Sequence, residues 1–204
     1  MDQKKRMLSG KLYKVEGKAL YEAHRKAKNL LDDFNALRFE DWNKQRPILK
    51  SLFGAFGARN MIVPPFQCDY GENIRIGDDF FANYNTIMLD VNTITIGNRV
   101  MFGPRVSLLT ASHPIDKVIR GELLEYGLPI TIEDDVWLGG NVTVNPGVRI
   151  GEGSIIGSGS VVTRDVPDNV VAAGNPCKVI REITDEDTAY WQKLKDEYLS
   201  DMKE

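Results

Sequence analysis

The sequence predicts a mainly β fold: a parallel β-helix of stacked six-residue units, with a helical region before it and one helix after it. Three observations carry that prediction. Between about residues 74 and 170, apolar residues recur every six positions in two rows that stay in phase. Glycines directly follow members of the first row. On either side of this stretch the period reverts to the steps of three and four that mark amphipathic helices.

Residues 1–60 read as the helical region. In "GKALYEAHRKAKNLLDDFNAL" the apolar positions Leu20, Ala23, Ala27, Leu30, Leu31 and Phe34 are separated by charges. A second run, "EDWNKQRPILKSLFGAFG", carries Trp42, Ile48, Leu49, Leu52 and Phe53, and Pro47 is expected to start or kink that helix. "MIVPPFQ" (61–67) reads as a proline-marked connector into a β-helix domain spanning 61–183.

Within that domain, Ile132, Leu138, Val144, Ile150, Ile156 and Val162 form the first row. Val136, Val142, Val148, Ser154, Ser160 and Val166 form the second, and Gly139, Gly151 and Gly157 follow first-row members. Upstream, Ile76, Ala82 and Met88, then Ile96, Phe102 and Leu108, repeat the pattern. One aliphatic and one small or branched residue per six point inward from a short strand, and the rest turns the corner, so each coil buries its row against the next. Residues 184–204, "TDEDTAYWQKLKDEYLSDMKE", read as a helix with an acidic start at Asp185, Glu186 and Asp187. It is expected to cap or flank the last coil, whose free edge invites strand pairing.

Bulk composition narrows the function. The chain has 204 residues, 42% hydrophobic and 27% charged, as in an ordinary globular protein. A net charge of −3 argues against a general nucleic-acid or anionic-membrane binder. No stretch approaches the roughly 18 consecutive apolar residues of a membrane span, and "MDQKKRMLSG" lacks the apolar run of a signal peptide, so a cytoplasmic location is expected. Cys68 and Cys177, far apart and outside any CxxC, read as free thiols with no zinc site.

The repeat stops between residues 109 and 129, where "TASHPIDKVIRGELLEYGLP" intervenes. An insertion of this kind is expected to leave the stack as an extruded loop, and long loops in compact domains are usually functional. His113 stands at its root, held toward extended conformations by Pro114. The other histidine, His24, lies among Arg25, Lys26 and Lys28 and reads as solvated. Two histidines cannot build a three-histidine metal site within a subunit, and no phosphate-binding glycine loop precedes a helix. Where a side chain must exchange protons near neutral pH, His113 is the candidate.

Taken together, the hexapeptide rows, "TASHPID", "CDYGENIRIG" and "NPGVRIGEGSIIGSGSVVTRDVPDNVVAAGNPCKVI" resemble the sugar O-acetyltransferases of the maltose and galactoside type, nearer the maltose branch. The resemblance implies a left-handed β-helix, a homotrimer with sites between subunits, acetyl-CoA as donor and no metal. It implies His113 as general base, Glu125 as the carboxylate that orients it, and Asn83 as a contact to acceptor and reaction centre. Asp69, Asp90 and Tyr84 are the implied acceptor contacts. For CoA it implies Gly140, Ser158, Thr163, Arg164, Lys178 and Arg181, with Trp137 lining the same groove. Val15 and Val91 stand where the galactoside branch leads one to expect acidic acceptor contacts, which favours a glucose- or maltose-type acceptor. Two alternatives keep the fold: an acetyltransferase acting on an antibiotic or other non-sugar acceptor, and a non-catalytic β-helix assembly module.

Overall fold

Short strands separated by tight corners satisfy their backbone groups by pairing with the equivalent strand one coil on. The computed structural model, which describes residues 2–202, is built in this way. The chain passes in turn through three sheets that form the faces of a solenoid. The first face stacks Ala55–Phe56, Ile74–Ile76, Ile94–Ile96, Ile130–Ile132 and Arg149–Ile150. The second stacks Met61–Ile62, Phe81–Ala82, Met101–Phe102, Trp137–Leu138, Ile155–Ile156 and Val170–Ala173, and ends with the antiparallel strand Lys178–Glu182. The third stacks Phe66–Cys68, Thr86–Leu89, Ser107–Leu109, Thr143–Val144 and Val161–Val162.

The register is the one the six-residue rows require. Ile76, Ile96, Ile132 and Ile150 align on the first face, and Ala82, Phe102, Leu138 and Ile156 on the second. Met88, Leu108, Val144 and Val162 align on the third. All are buried, as is the second row. Its two serines are also satisfied: the Ser154 hydroxyl donates to the Pro167 carbonyl at 2.7 Å, and that of Ser160 to the Gly157 carbonyl.

The solenoid starts earlier than the sequence pattern indicates. Ala55–Phe56, inside the stretch read as helical, already pairs with Arg75 and Ile76. A Cβ on the adjoining Gly57 would come within 2.2 Å of the Gly77 carbonyl oxygen, so the close coil stacking there requires glycine. The proline-marked segment is likewise no plain connector. Met61–Ile62 and Phe66–Cys68 are strands, and Pro64 and Pro65 sit at the corner between them, where a missing N–H breaks no ladder.

Among the described residues five α-helices surround the coils: α1 (Gln3–Leu8), α2 (Lys18–Asn35), α3 (Trp42–Leu52), α4 (Lys117–Gly121) and α5 (Asp185–Asp201). Ala27, Leu31 and Phe34 of α2 and Leu49 and Leu52 of α3 join the solenoid core alongside Ile62, Phe66 and Ile74, so these helices close the open first coil. Pro47 lies inside α3 rather than at its start. A separate cluster of Met7, Tyr13, Leu20, Tyr70 and Val91 fixes α1 and the segment after it against the side of the solenoid. At the other end, α5 begins with a Thr184–Asp187 capping box but buries none of its residues. It flanks the second face near Ile155 and Val171.

The three corners differ in chemistry. At the corner between the first and second faces, Arg59, Asp79, Arg99 and Asp135 all take left-handed backbone conformations. There Arg59 pairs with Asp79 through two hydrogen bonds, and Arg99 pairs with Asp135 in the same way. No candidate functional residue lies at this corner.

Candidate functional site

The candidates instead gather along the two edges of the third face. One edge, where the second face turns into the third, carries Asn83 and Tyr84, then, beyond the coil of Pro104 and Arg105, Gly140, and in the next coil Ser158. The other edge, where the third face turns into the first, carries Asp69, Asp90, the loop with His113 and Glu125, and then Thr163 and Arg164. Trp137 lies on the second face and is 47% exposed.

His113 is positioned by the loop root. Ala111–Ser112 pairs antiparallel with Tyr126–Gly127, which draws the two ends of the insertion together and expels α4 between them. The His113 Nδ1 lies 3.3 Å from the Leu124 carbonyl oxygen. A carbonyl only accepts, so this contact places the ring proton on Nδ1 and leaves the lone pair on Nε2. Glu125 Oε2 lies 3.8 Å from Nε2, beyond hydrogen-bond distance, so the Leu124 carbonyl rather than Glu125 holds the ring. The carboxylate instead faces the nitrogen that would become positive on taking a proton.

Glu125 is itself held by a residue that the sequence pattern does not single out. The buried Tyr13 hydroxyl donates to Glu125 Oε1 at 2.5 Å, and the two backbones exchange hydrogen bonds of 2.9 and 3.1 Å. Burial, together with the adjacent carboxylate, pushes the Tyr13 phenol well above its ordinary pKa, so it stays a donor. Tyr13 lies between α1 and α2, outside every periodic run, and its role depends on a partner 112 residues away.

A cavity of about 470 Å³ opens at His113, lined also by Lys14, Val15, Glu16, Arg120, Glu122, Leu123 and Glu125. Val15 is 61% exposed on its wall, whereas Val91 is buried against Tyr13 and Tyr70 and does not line it. The Arg120 guanidinium donates to the Pro114 and Ile115 carbonyls and so braces the loop.

The proposed acceptor contacts separate. Asp69 is half-buried near Glu125, Lys28 and His24; burial lifts its carboxyl above the usual range, while Lys28 and His24 oppose that rise. Asp90 is fully buried and is a corner brace, not a surface that meets an acceptor: its Oδ1 accepts from the Asp69 and Tyr70 amides at 3.0 and 2.8 Å. Its Oδ2 is buried without a partner, and burial raises the carboxyl to about 7 against the opposing pull of those amides. Tyr84 is exposed on the opposite edge from His113, beside Asn83, whose Oδ1 accepts from the Tyr84 amide. His24 is not merely solvated; its ring meets Tyr70 edge-on, with centroids 6.0 Å apart.

Coils stack closely at the edge that carries Gly140 and Ser158. A Cβ at Gly139 would lie 2.7 Å from the Ser158 amide nitrogen, so small residues keep this edge flat from coil to coil. Lys178 follows at its far end, exposed. Among the described residues Arg164 and Lys178 pair with no carboxylate. Arg181 differs: both its terminal nitrogens donate to the Asp187 carboxylate, at 2.7 and 2.8 Å, so its guanidinium fork is already engaged. Among the described residues no group of three or more His, Cys, Asp or Glu side chains is placed to hold a metal, and both cysteines are free. Among the described residues no helix is long and apolar enough to cross a membrane.

Comparison with known proteins gives a consistent likeness. Residues 129–164 match the model of the bacterial transferase hexapeptide (six repeats), and residues 6–57 match the maltose acetyltransferase hexapeptide capping motif. The galactoside O-acetyltransferase of Escherichia coli K12 is 42% identical over 193 residues, covering 95% of each chain. The crystal structure of a maltose O-acetyltransferase from Clostridium difficile 630 superposes with a TM-score of 0.89 at 46% identity, covering 90% of this chain and 98% of that one. A hexapeptide-repeat acetyltransferase from Vibrio cholerae, solved with acetyl coenzyme A, gives 0.84 at 37% identity, covering 90% of this chain and 100% of that one.

Proposed function

Because this chain belongs to the hexapeptide-repeat O-acetyltransferases of the maltose and galactoside type, we propose that it moves the acetyl group of acetyl-CoA to a hydroxyl of a neutral, glucose- or maltose-type sugar, with His113 as general base. A sugar hydroxyl is not ionised at neutral pH, so its proton must leave as its oxygen attacks the thioester carbonyl. Nε2 of His113 takes that proton. The resulting imidazolium faces the Glu125 carboxylate, which Tyr13 keeps in place. As the tetrahedral adduct collapses, the C–S bond breaks and the imidazolium returns its proton to the CoA thiolate. General-base help of this kind typically supplies roughly 10²–10⁴-fold, and placing both substrates side by side adds to it.

Asn83 is proposed to donate to the oxyanion of the adduct from a neighbouring subunit. Within one chain, His113 and Asn83 occupy opposite edges of the third face. The four residues Thr86–Leu89 span roughly 13 Å at the usual rise per strand residue, too far to share one acetyl group. A cyclic homotrimer, in which one edge meets the other edge of the next subunit, removes that distance. The pantetheine arm then lies along Gly140 and Ser158, with Trp137 beside it. Thr163 and Arg164 approach from the opposite edge, and Lys178 meets the phosphates.

The observation that carries this reading is His113 itself, its Nδ1 against a carbonyl and its ring on the cavity wall. The acceptor assignment rests on Val15, which presents an apolar surface to that cavity. Thiol release from acetyl-CoA, measured on glucose, maltose and a β-galactoside, tests both. Glucose and maltose should outpace the galactoside, and His113→Ala should lower kcat by at least about 10²-fold while remaining folded. Near-normal turnover in folded His113→Ala removes the base, and faster turnover of the galactoside removes the acceptor assignment.

A further inference from the structure

Building on the acceptor reading above, we propose that the chain binds a second pyranose ring beside the first, in a subsite formed by Val15, Gly17, Lys18, Tyr21 and His24. The acceptor cavity does not end at Val15. A second cavity of about 550 Å³, lined by Val15, Gly17, Lys18, Leu20, Tyr21 and His24, continues from it, and Val15 belongs to both walls. Gly17 leaves open space on the wall of the second cavity, where even an added Cβ would meet no atom within 4 Å.

The lining suits a sugar ring. Tyr21 is 67% exposed although Leu20, Ala27, Leu31 and Phe34 of the same amphipathic helix are turned inward. A pyranose has C–H faces that pack on an aromatic ring and an equatorial rim of hydroxyls that need hydrogen-bonding groups, and Lys18 and His24 supply such a rim. At the cavity rim Lys18 lies 3.7 Å from Glu22, and the Arg25 guanidinium lies over one face of the Tyr21 ring, which leaves the other face for a sugar. Asp69 links the two halves, being near enough to both His24 and Glu125 for their charges to act on it. The acceptor is therefore a neutral disaccharide or longer chain, with its reacting ring at His113 and its next ring on Tyr21.

The test compares glucose and maltose as acceptors in the wild-type protein, Tyr21→Ala and Tyr21→Phe. Maltose should be the better substrate of the wild type. Tyr21→Ala should lower kcat/KM for maltose roughly 3- to 10-fold, chiefly through KM, as expected for one aromatic contact. Glucose should be unaffected, and Tyr21→Phe should retain the maltose preference. No loss on maltose, or an equal loss on both sugars, overturns the subsite, while continued turnover of glucose leaves the reading of His113 standing. If the wild type acetylates neither sugar, that reading falls separately. Ligand-observed NMR with maltose then decides the subsite: saturation transfer to both rings that Tyr21→Ala abolishes supports it, and transfer to one ring or none overturns it.

Discussion

Tyr13 is a phenol that acts at a distance from the chemistry. Its hydroxyl occupies one oxygen of Glu125 and leaves the other turned toward His113. Tyr13→Phe keeps the packing and removes only the donor. We expect kcat to fall about 10-fold, the low end for losing a hydrogen bond to a charged group, with KM for acetyl-CoA unchanged. Added to Glu125→Gln, it should cost little more, since both act through one carboxylate; independent, multiplying effects would show that Tyr13 acts elsewhere. Asp90 makes a different residue-scale prediction. Its carboxyl is raised to about 7 by burial, while an unfolded aspartate titrates near 4, so between those values the folded chain binds the extra proton. Stability should therefore fall as pH rises from about 4 to 7. Asp90→Asn, which retains an oxygen for the Asp69 and Tyr70 amides, should lose that slope in denaturant titrations, and parallel profiles for the two proteins would contradict it.

Among the elements, the turn and hairpin that end the solenoid are the proposed anchor for the CoA phosphates. Lys178 is unpaired there among the described residues, whereas Arg181 is closed on Asp187 at the start of α5. Lys178→Ala, and Arg164→Ala likewise, should raise KM for acetyl-CoA with little change in kcat, because contacts remote from the reacting carbon contribute uniform binding. Arg181→Ala should change KM less and loosen α5 instead, read as faster amide exchange in that helix. An equal KM effect at Arg181 would mean that its pair with Asp187 opens for the nucleotide. The coils were legible in the sequence because inward positions repeat with a period that no helix shares, and the six-residue rows from Ile76 to Val166 all proved buried. The first coil was not, because its first strand follows directly on α3 and its corner is taken up by Pro64 and Pro65. His113 was legible as the break in a pattern. Asp90 was misread because a carboxylate that faces solvent and one that braces a corner look identical in sequence.

At the scale of the whole molecule, the third face separates the two halves of every proposed site. Homotrimers of His113→Ala and of Asn83→Ala should each be nearly inactive. Subunits unfolded together and reassembled from an equal mixture should regain about one quarter of the wild-type activity, since that fraction of interfaces joins an intact His113 to an intact Asn83. Sedimentation should show a trimer; a fully active monomer would end the shared-site proposal.

The corner that carries no candidate residue has a consequence of its own. Arg59, Asp79, Arg99 and Asp135 succeed one another in adjacent coils with alternating sign. Coils so similar in shape invite a misthreading in which one is skipped and the rest close up. Skipping a single coil would set Arg59 over Arg99, or Asp79 over Asp135, so the alternation works as a parity check on assembly. Each exposed pair contributes little to stability, yet each penalises that misthreading. Neutralising the row, by combining Arg59→Gln, Asp79→Asn, Arg99→Gln and Asp135→Asn, should leave equilibrium stability nearly unchanged while slowing productive refolding.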